Sequence, residues 1–321
     1  MRNTLISLVI CTHNPRRDYL ARVLEGLKGQ TLPMADWDFV IVDNASTTPV
    51  ASFLDLSWHP RARIIIEKEL GLTHARLCGI HSTDAPLILY IDDDNILPAD
   101  YLDQALSIGR EFPQLGIWGA AIIEPEYEKK PAPDLEEFCT ILALRDIKRD
   151  SWSNTPAVSD VSPFGAGMVV RRNIAEIYAI QKAKGGVFFG RKGDSLLSSD
   201  DYELSLIAAD EGTGYGVFRR LSVTHLIPAR RVEQEYILRL HEACAQSDLT
   251  LTLTRAEKLN AGSVGFAQIV RRLLPPFYKM ILGKGMAKSI FYRVFIGRCK
   301  AVRTYRSMVA NGPPLNDSKA T

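Results

Sequence analysis

Three consecutive carboxylates, Asp92-Asp93-Asp94, follow directly on the aliphatic run Leu87 to Ile91. Like charges that close raise one another's pKa unless a cation neutralises them. A divalent metal is the natural cation: Mg²⁺ or Mn²⁺ takes hard oxygen ligands, often only one or two from protein, and fills its shell with water and substrate phosphates. The bland alternative is a solvated acidic turn capping a helix that begins near Asp100, and the placement behind an apolar strand favours the metal. Arg76 stands at the start of a second helical stretch whose free N–H groups point towards the same strand ends, a favourable place for a diphosphate. Its alternative is a surface arginine paired with Glu67 or Glu69.

The elements around these residues alternate between strand and helix. Leu5 to Cys11 reads as a strand ending in Thr12-His13-Asn14-Pro15. The helix that follows repeats apolar residues at Leu20, Val23, Leu24 and Leu27, with Asp18 placed to cap it. Phe39 to Val42 is a second strand ending in Asp43-Asn44-Ala45-Ser46, and Arg63 to Glu67 a weaker third. Gly71 opens a helix with Ala75, Cys78 and Ile80 inward, and Leu87 to Ile91 is the fourth strand. This alternation predicts a mostly parallel sheet, whose ligands gather at the carboxyl ends of its strands. From Glu124 to Pro163 periodicity fades, with a helix expected near Leu135 to Leu144. Phe164-Gly165-Ala166-Gly167 then leads into the run Met168 to Val170, helices follow over Ile174 to Ala183 and Asp200 to Ala209, and Val217 to Val223 forms a closing strand before Thr224 and His225.

With 46% hydrophobic and 24% charged residues in 321, the chain can bury a large core, which excludes disorder as its main state. The net charge of +2 hides a split. Lys258 to Arg306 contains 11 of the 39 Lys and Arg and no Asp or Glu, so the remainder carries 28 basic against 37 acidic residues, a balance of −9. Five scattered cysteines without a C-x-x-C pair suggest neither a disulfide framework nor a zinc site, and they fit a reducing cytosol. Met1 to Ile10 lacks the form of a secretory signal, and no stretch reaches the roughly 18 apolar residues of a membrane span.

Taken in order, these clusters resemble family 2 glycosyltransferases of the GT-A fold. Thr12-His13-Asn14-Pro15 is similar to that family's Thr-x-Asn-Arg start, Val42-Asp43-Asn44-Ala45-Ser46 to its Val-Asp-Asp-Gly-Ser, Gly71 with Ala75-Arg76 to its Ala-Arg-Asn segment, and Asp92-Asp93-Asp94 to its Asp-x-Asp motif. Leu77 stands where the family has Asn, and Asn44-Ala45 where it has Asp-Gly. The resemblance spans roughly residues 5 to 235 and implies an α/β, Rossmann-like GT-A domain over 1–235, with a nucleotide-sugar half (1–120) and an acceptor half (121–235). A basic, amphipathic helical extension follows over 236–321.

The resemblance also implies roles. Thr12, Asn14, Asp43, Arg76, Asp92 and Asp93 would contact the donor, although Asp43 and Asn44 can also form a turn unaided. Asp94 with Asp92 would hold Mn²⁺ or Mg²⁺, and His225 would complete the metal shell or serve as a satisfied structural histidine. Gly165, Ala166 and Gly167 resemble the acceptor-side loop. Ser198-Ser199-Asp200-Asp201 is similar to the family's Glu-Asp motif, which makes Asp201 the expected base for the acceptor hydroxyl and Asp200 its substitute; the same residues would also make a good helix cap.

In the tail, aromatic and aliphatic residues from Phe266 to Phe295 interleave with Arg and Lys, and Pro275-Pro276 is expected to break the segment into two helices. Such a pair suits an anionic membrane surface through residues 262–306, while a helical hairpin packed on the protein is the alternative. The whole reads as a metal-dependent, inverting transferase. It would take a sugar from a nucleoside diphosphate, UDP foremost, to a saccharide or lipid-linked acceptor. Its setting would be bacterial cell-surface polysaccharide synthesis, in the cytoplasm at the inner face of the membrane, with no nucleic-acid partner. The rivals are a sugar nucleotidyltransferase, which would carry a Gly-rich basic loop after the first strand, and a catalytically idle membrane-associated scaffold.

Overall fold

In a computed structural model, residues 4–157, 159–185, 190–260 and 264–311 are described. The chain forms two compact units. The first comprises Met1–Glu128, Leu142–Gly193 and Asp200–Pro228, and the second Lys129–Ile141, Asp194–Ser199 and Ala229–Thr321.

The first unit contains β1 (Ile6–Thr12), α1 (Arg17–Lys28), β2 (Trp37–Asn44), β3 (Ala62–Glu67), α2 (Leu72–His81), β4 (Leu87–Asp92), β5 (Asn95–Ile96), α3 (Tyr101–Glu111) and β6 (Leu115–Tyr127). It continues with β7 (Arg145–Asp146), β8 (Ser151–Ser153), β9 (Met168–Arg171), α4 (Arg172–Ala183), α5 (Asp200–Asp210) and β10 (Gly214–Ile227). The sheet runs β3-β2-β1-β4-β9-β6-β10-β5, with β7 beside β6 and β8 beside β10. Pairing is parallel along β3-β2-β1-β4 and between β6 and β10, whereas β9 is antiparallel to both β4 and β6.

Both faces of the central strands are covered, which is why they read as near-continuous apolar runs. On β1, Ile6, Leu8 and Ile10 face a core shared with Leu20, Val23, Leu24 and Leu27 of α1, while Val9 faces a second core with Ala75 and Ile80 of α2 and Ile174 of α4. The stripe expected on α1 is therefore the buried one. Asp18 does not cap that helix: Arg16 occupies the cap position, and the Asp18 carboxylate pairs with the Arg16 guanidinium at 2.5 Å.

Two further segments differ in kind or extent from expectation. The helix near Leu135 to Leu144 is a 3₁₀ segment over Glu136–Leu142, stopped by Ala143 in the left-handed region at φ 60°. The strand β6 lies across a stretch that the sequence pattern left unassigned up to Glu124 and read as irregular beyond it.

The second unit is built on α6 (Gln234–Asn260), α7 (Phe266–Leu282) and α8 (Gly285–Asn311). Leu249 and Leu253 of α6 cluster with Ile269 of α7 and Ala301 and Tyr305 of α8, and the Tyr305 hydroxyl accepts from Val264 N at 2.9 Å. Glu242 on α6 accepts from Lys300 Nζ and from Arg293 Nη1 at 3.0 Å, so part of the basic tail is spent on pairing within the unit.

Pro275-Pro276 does not split the segment: both lie inside α7, and the break falls at residues 283–284. Pro276 offers no N–H to the carbonyl of Arg272, and Arg298 Nη1 donates to that carbonyl instead at 2.5 Å, satisfying the group that normally breaks a proline-bearing helix. Leu274, Tyr278, Ile281 and Leu282 of α7 remain exposed, Leu282 at 77%. No described helix is long and apolar enough to cross a membrane. Residues 262 and 263 of the basic tail lie outside the described residues.

Candidate active site

The register of the sheet gathers the motif residues at one edge. Thr12 pairs with Asp43, and Cys11 with Asp92, so the ends of β2, β1 and β4 lie side by side. The chain leaves β1 for β2 on one side and meets β4 on the other, the kind of switch point at which open α/β sheets bind ligands. Because β9 runs antiparallel to β4, its beginning lies at this same edge, where Gly167 N donates to Tyr90 O at 3.0 Å.

The acidic triplet is divided among three environments. Asp93 accepts from the Thr12 hydroxyl, which ties β1 to β4. Asp94, only 5% exposed, accepts from Asn95 Nδ2 at 3.1 Å and lies 3.5 Å from His225 Nε2. His225 is delivered by β10, whose antiparallel pairing with β5 sets it opposite Asn95, and Leu226 N donates to Asp94 O at 2.8 Å. Burial and the neighbouring Asp94 charge raise the pKa of Asp92, opposed by Arg76, Arg191 and His225.

Two carboxylates and an imidazole are a donor set that suits Mn²⁺ or Mg²⁺. Among the described residues no three His, Cys, Asp or Glu side chains form a ready cage. An ion that shares its shell with substrate phosphates needs fewer protein ligands than that.

The loops after β1 and β2 brace one another. Asn14, at φ 51°, accepts from Thr47 N at 2.8 Å and donates its own N–H to Ser46 Oγ at 2.9 Å. Asp43 is 2% exposed and accepts from Ser46 N at 3.1 Å and Val50 N at 2.8 Å, so its visible work is to close the turn. Asn44 donates to Glu67 O and Glu69 O at 3.2 and 2.7 Å and accepts from Gly71 N at 2.7 Å. An aspartate could not make the two donations, which explains the amide at this position.

Arg76, expected at the donor, is a buried side chain. It is 4% exposed, and its Nη1 pairs with the equally buried Asp200. Asp200 is thereby occupied as an ion-pair partner, and Asp201 is the carboxylate left beside the loop. Asp201 Oδ2 accepts from Gly165 N at 3.2 Å and Oδ1 from Tyr202 N at 2.9 Å, at the amino end of α5 where the helix dipole favours negative charge. Burial, and next the Asp200 charge, push its pKa up to about 6, with Arg76 and the two N–H groups pulling it down.

The loop Gly165-Ala166-Gly167 is small for reasons of space. A methyl at Gly165 would collide with Arg76 Nη2. Gly167 adopts φ 77°, and its carbonyl accepts from the Tyr101 hydroxyl at 2.6 Å. Ala166 between them is 4% exposed.

Sequence reasoning passed over Asn95, which holds Asp92 N and Asp94 together, and over Arg145 and Arg191. Asn95 follows the triplet directly and could have been singled out. The two arginines sit in aperiodic stretches and gave no local signal.

Residues 7–138 match the profile of the family described as Glycosyl transferase family 2. Among solved structures, the fold is similar to the mannosyltransferase PcManGT from Pyrobaculum calidifontis in complex with GDP-Man and Mn²⁺, with a TM-score of 0.53 and 16% identity over 96% of this chain and 76% of that one. It is similar also to S. aureus TarS 1-349, with a TM-score of 0.50 and 14% identity over 97% of this chain and 92% of that one. Full-length S. aureus TarS is matched over 54% of its length and 94% of this chain, with a TM-score of 0.50 and 13% identity. No curated protein matches the chain. At these identities the likeness is one of fold, and the fold is GT-A.

Proposed function

Because the segment 7–138 belongs to glycosyl transferase family 2 and the sheet around it is of the GT-A kind, we propose that this glycosyltransferase is an inverting enzyme. It transfers a sugar from a nucleoside diphosphate to a saccharide or lipid-linked acceptor in cell-surface polysaccharide synthesis. The observation that carries the reading is Asp201: a carboxylate with its pKa near 6, anchored to the acceptor-loop N–H of Gly165, at the same sheet edge as the Asp92–Asp94 triplet.

Asp201 takes the proton of the acceptor hydroxyl as its oxygen attacks the anomeric carbon, and the bond from that carbon to the diphosphate breaks on the opposite face. A carboxylate with pKa near 6 is ionised at neutral pH yet basic enough to accept that proton. The loops after β1 and β2, braced by Asn14, Asp43 and Asn44, line the nucleoside side. Asp94, Asp92 and His225 are the residues that would hold Mn²⁺ or Mg²⁺, which when bound neutralises diphosphate charge. With Arg76 committed to Asp200, Arg191, whose charge reaches Asp92, is the better candidate for a protein cation at the diphosphate.

The exposed apolar side chains of α7 lie among Lys279, Lys284 and Lys288, and this face suits an anionic membrane surface at roughly 1 kcal/mol per basic residue. The donor class is tested by melting the protein with UDP- and GDP-sugars, with and without Mn²⁺. A ligand held at about 100 times its Kd adds about 2.7 kcal/mol. Absence of stabilisation by any sugar nucleotide would overturn the proposal.

A further inference from the structure

Beside Asp201 stands a cation that transfer itself does not require. Arg145 lies on β7, opposite Ile123 of β6. Its guanidinium carbon stacks 3.4 Å from the centroid of the Phe164 ring, and Nη1 donates to Ser162 O at 3.0 Å. Phe164 immediately precedes Gly165, whose N–H holds Asp201, and its ring meets that of Tyr202 edge-on at 6.3 Å. Arg145, Phe164, Gly165, Asp201 and Tyr202 therefore form one contiguous cluster.

A guanidinium carries five N–H donors, and Arg145 directs one to the protein at Ser162. Among the described residues it forms no ion pair. Burial pushes its pKa down to about 10, against the opposing pull of Tyr202, Asp201 and Asp160, so the charge is only partly compensated. The aromatic face of Phe164 stabilises the cation and fixes the plane of the fork, leaving edges that match a carboxylate or a phosphate in bidentate fashion. A surface arginine serving only solubility would need neither the ring nor the burial.

We propose that Arg145 on its Phe164 platform is an anion subsite for the acceptor: the acceptor saccharide bears a carboxylate or phosphodiester that docks here while its reacting hydroxyl reaches Asp201. This rests on the glycosyltransferase reading and narrows it to acidic acceptors. Arg145 is then a specificity residue that discriminates against neutral glycans, because an unoccupied half-buried guanidinium gains nothing from them.

The test is titration calorimetry on the full-length protein with a glucuronate-bearing disaccharide, a glycerol-phosphate oligomer and a size-matched neutral disaccharide. At low salt at least one charged probe should bind at least tenfold tighter than the neutral one, and the preference should shrink as salt is added. Whichever charged probe is preferred identifies the anion. Arg145→Gln should reduce the preference to about one, whereas Arg145→Lys, which keeps the charge and loses the fork, should retain part of it.

Equal binding of charged and neutral probes by the wild-type protein overturns the proposal without recourse to any variant. So does an unchanged preference in Arg145→Gln. Should that variant melt early, the wild-type comparison and Arg145→Lys still decide. Sugar-nucleotide binding is measured in parallel: donor binding with no regard for acceptor charge sinks the anion subsite alone, and charged-probe binding with no donor binding sinks the transferase reading alone.

Discussion

Replacing Asp201 by Asn removes the candidate base and, at the same time, a charge that the fold holds against its preference. The carboxyl rises from the ordinary 3.8 to about 6, chiefly through burial. At 1.36 kcal/mol per pH decade this corresponds to about 3 kcal/mol. Since the folded pKa lies above the unfolded one, the folded state binds the proton more tightly. The Asp201 contribution to stability is therefore greatest below about pH 4, declines between about pH 4 and 6, and is level above that. Asn cannot ionise and escapes the decline. Allowing about 1 kcal/mol for the weaker acceptance of the Gly165 and Tyr202 N–H groups by an amide, Asp201→Asn should be more stable than wild type by about 1–2 kcal/mol at pH 7.5. That is a Tm increase of about 2–8 °C for a unit of this size, and it should vanish near pH 4. Turnover should fall by about 10²–10⁴, while wild-type kcat/KM should climb about tenfold per pH unit below 6 and flatten above. Melting curves at pH 4 and 7.5 beside a transfer assay decide the matter. A variant that gains no stability at pH 7.5, or that transfers sugar at the wild-type rate, refutes the reasoning.

Asp94→Asn should leave the ligand-free Tm in place but abolish the Mn²⁺-dependent part of sugar-nucleotide stabilisation, and an unaltered Mn²⁺ response counts against Asp94 as a ligand. Gly165→Ala places a methyl against Arg76 Nη2 and should cost about 3 kcal/mol in a denaturant titration by forcing the buried Arg76–Asp200 pair apart; a neutral outcome would mean that the loop yields instead. Arg298→Met strands the Arg272 carbonyl inside α7 and should cost about 1–3 kcal/mol, with amide exchange accelerating around Pro275 and Pro276. The double change Ile281→Glu and Leu282→Glu should sharply reduce co-sedimentation with anionic vesicles while leaving the Tm unchanged, since both side chains are already exposed. Full binding by this variant would remove α7 from the membrane reading.

The half of the sheet that carries the site was legible because its pattern is local. β1, β2 and β4 are apolar on both faces, α1 carries its four buried residues at helical spacing, and each strand ends in a polar cluster that the parallel topology must bring to one edge. β6 escaped because its second half runs into the stretch from Glu124 where periodicity fades, and its place is set by the antiparallel insertion of β9 between β4 and β6. That pairing joins residues some fifty positions apart and leaves no local period. Pro275-Pro276 misled for a similar reason. The rule that two prolines stop a helix assumes that the freed carbonyls stay unsatisfied, and Arg298, on the next helix, supplies a donor to one of the two, that of Arg272.

Arg76 shows where local reading ends and charge balance begins. A helix amino terminus at a strand edge is a sound place to expect a diphosphate contact, but the ion-pair partner of Arg76 lies 124 residues further along the chain. Only the fold brings them together. Once it does, the chemistry of the base follows from the pairing. Two adjacent buried carboxylates would each resist ionisation. By neutralising Asp200, Arg76 confines the repulsion to what remains, so that Asp201 titrates near 6 rather than higher. The same guanidinium lowers the pKa of Asp92 at the end of β4. One buried cation is thus felt by Asp92 at the end of β4 and by Asp201 beside Gly165, and any substitution that moves it should disturb both at once.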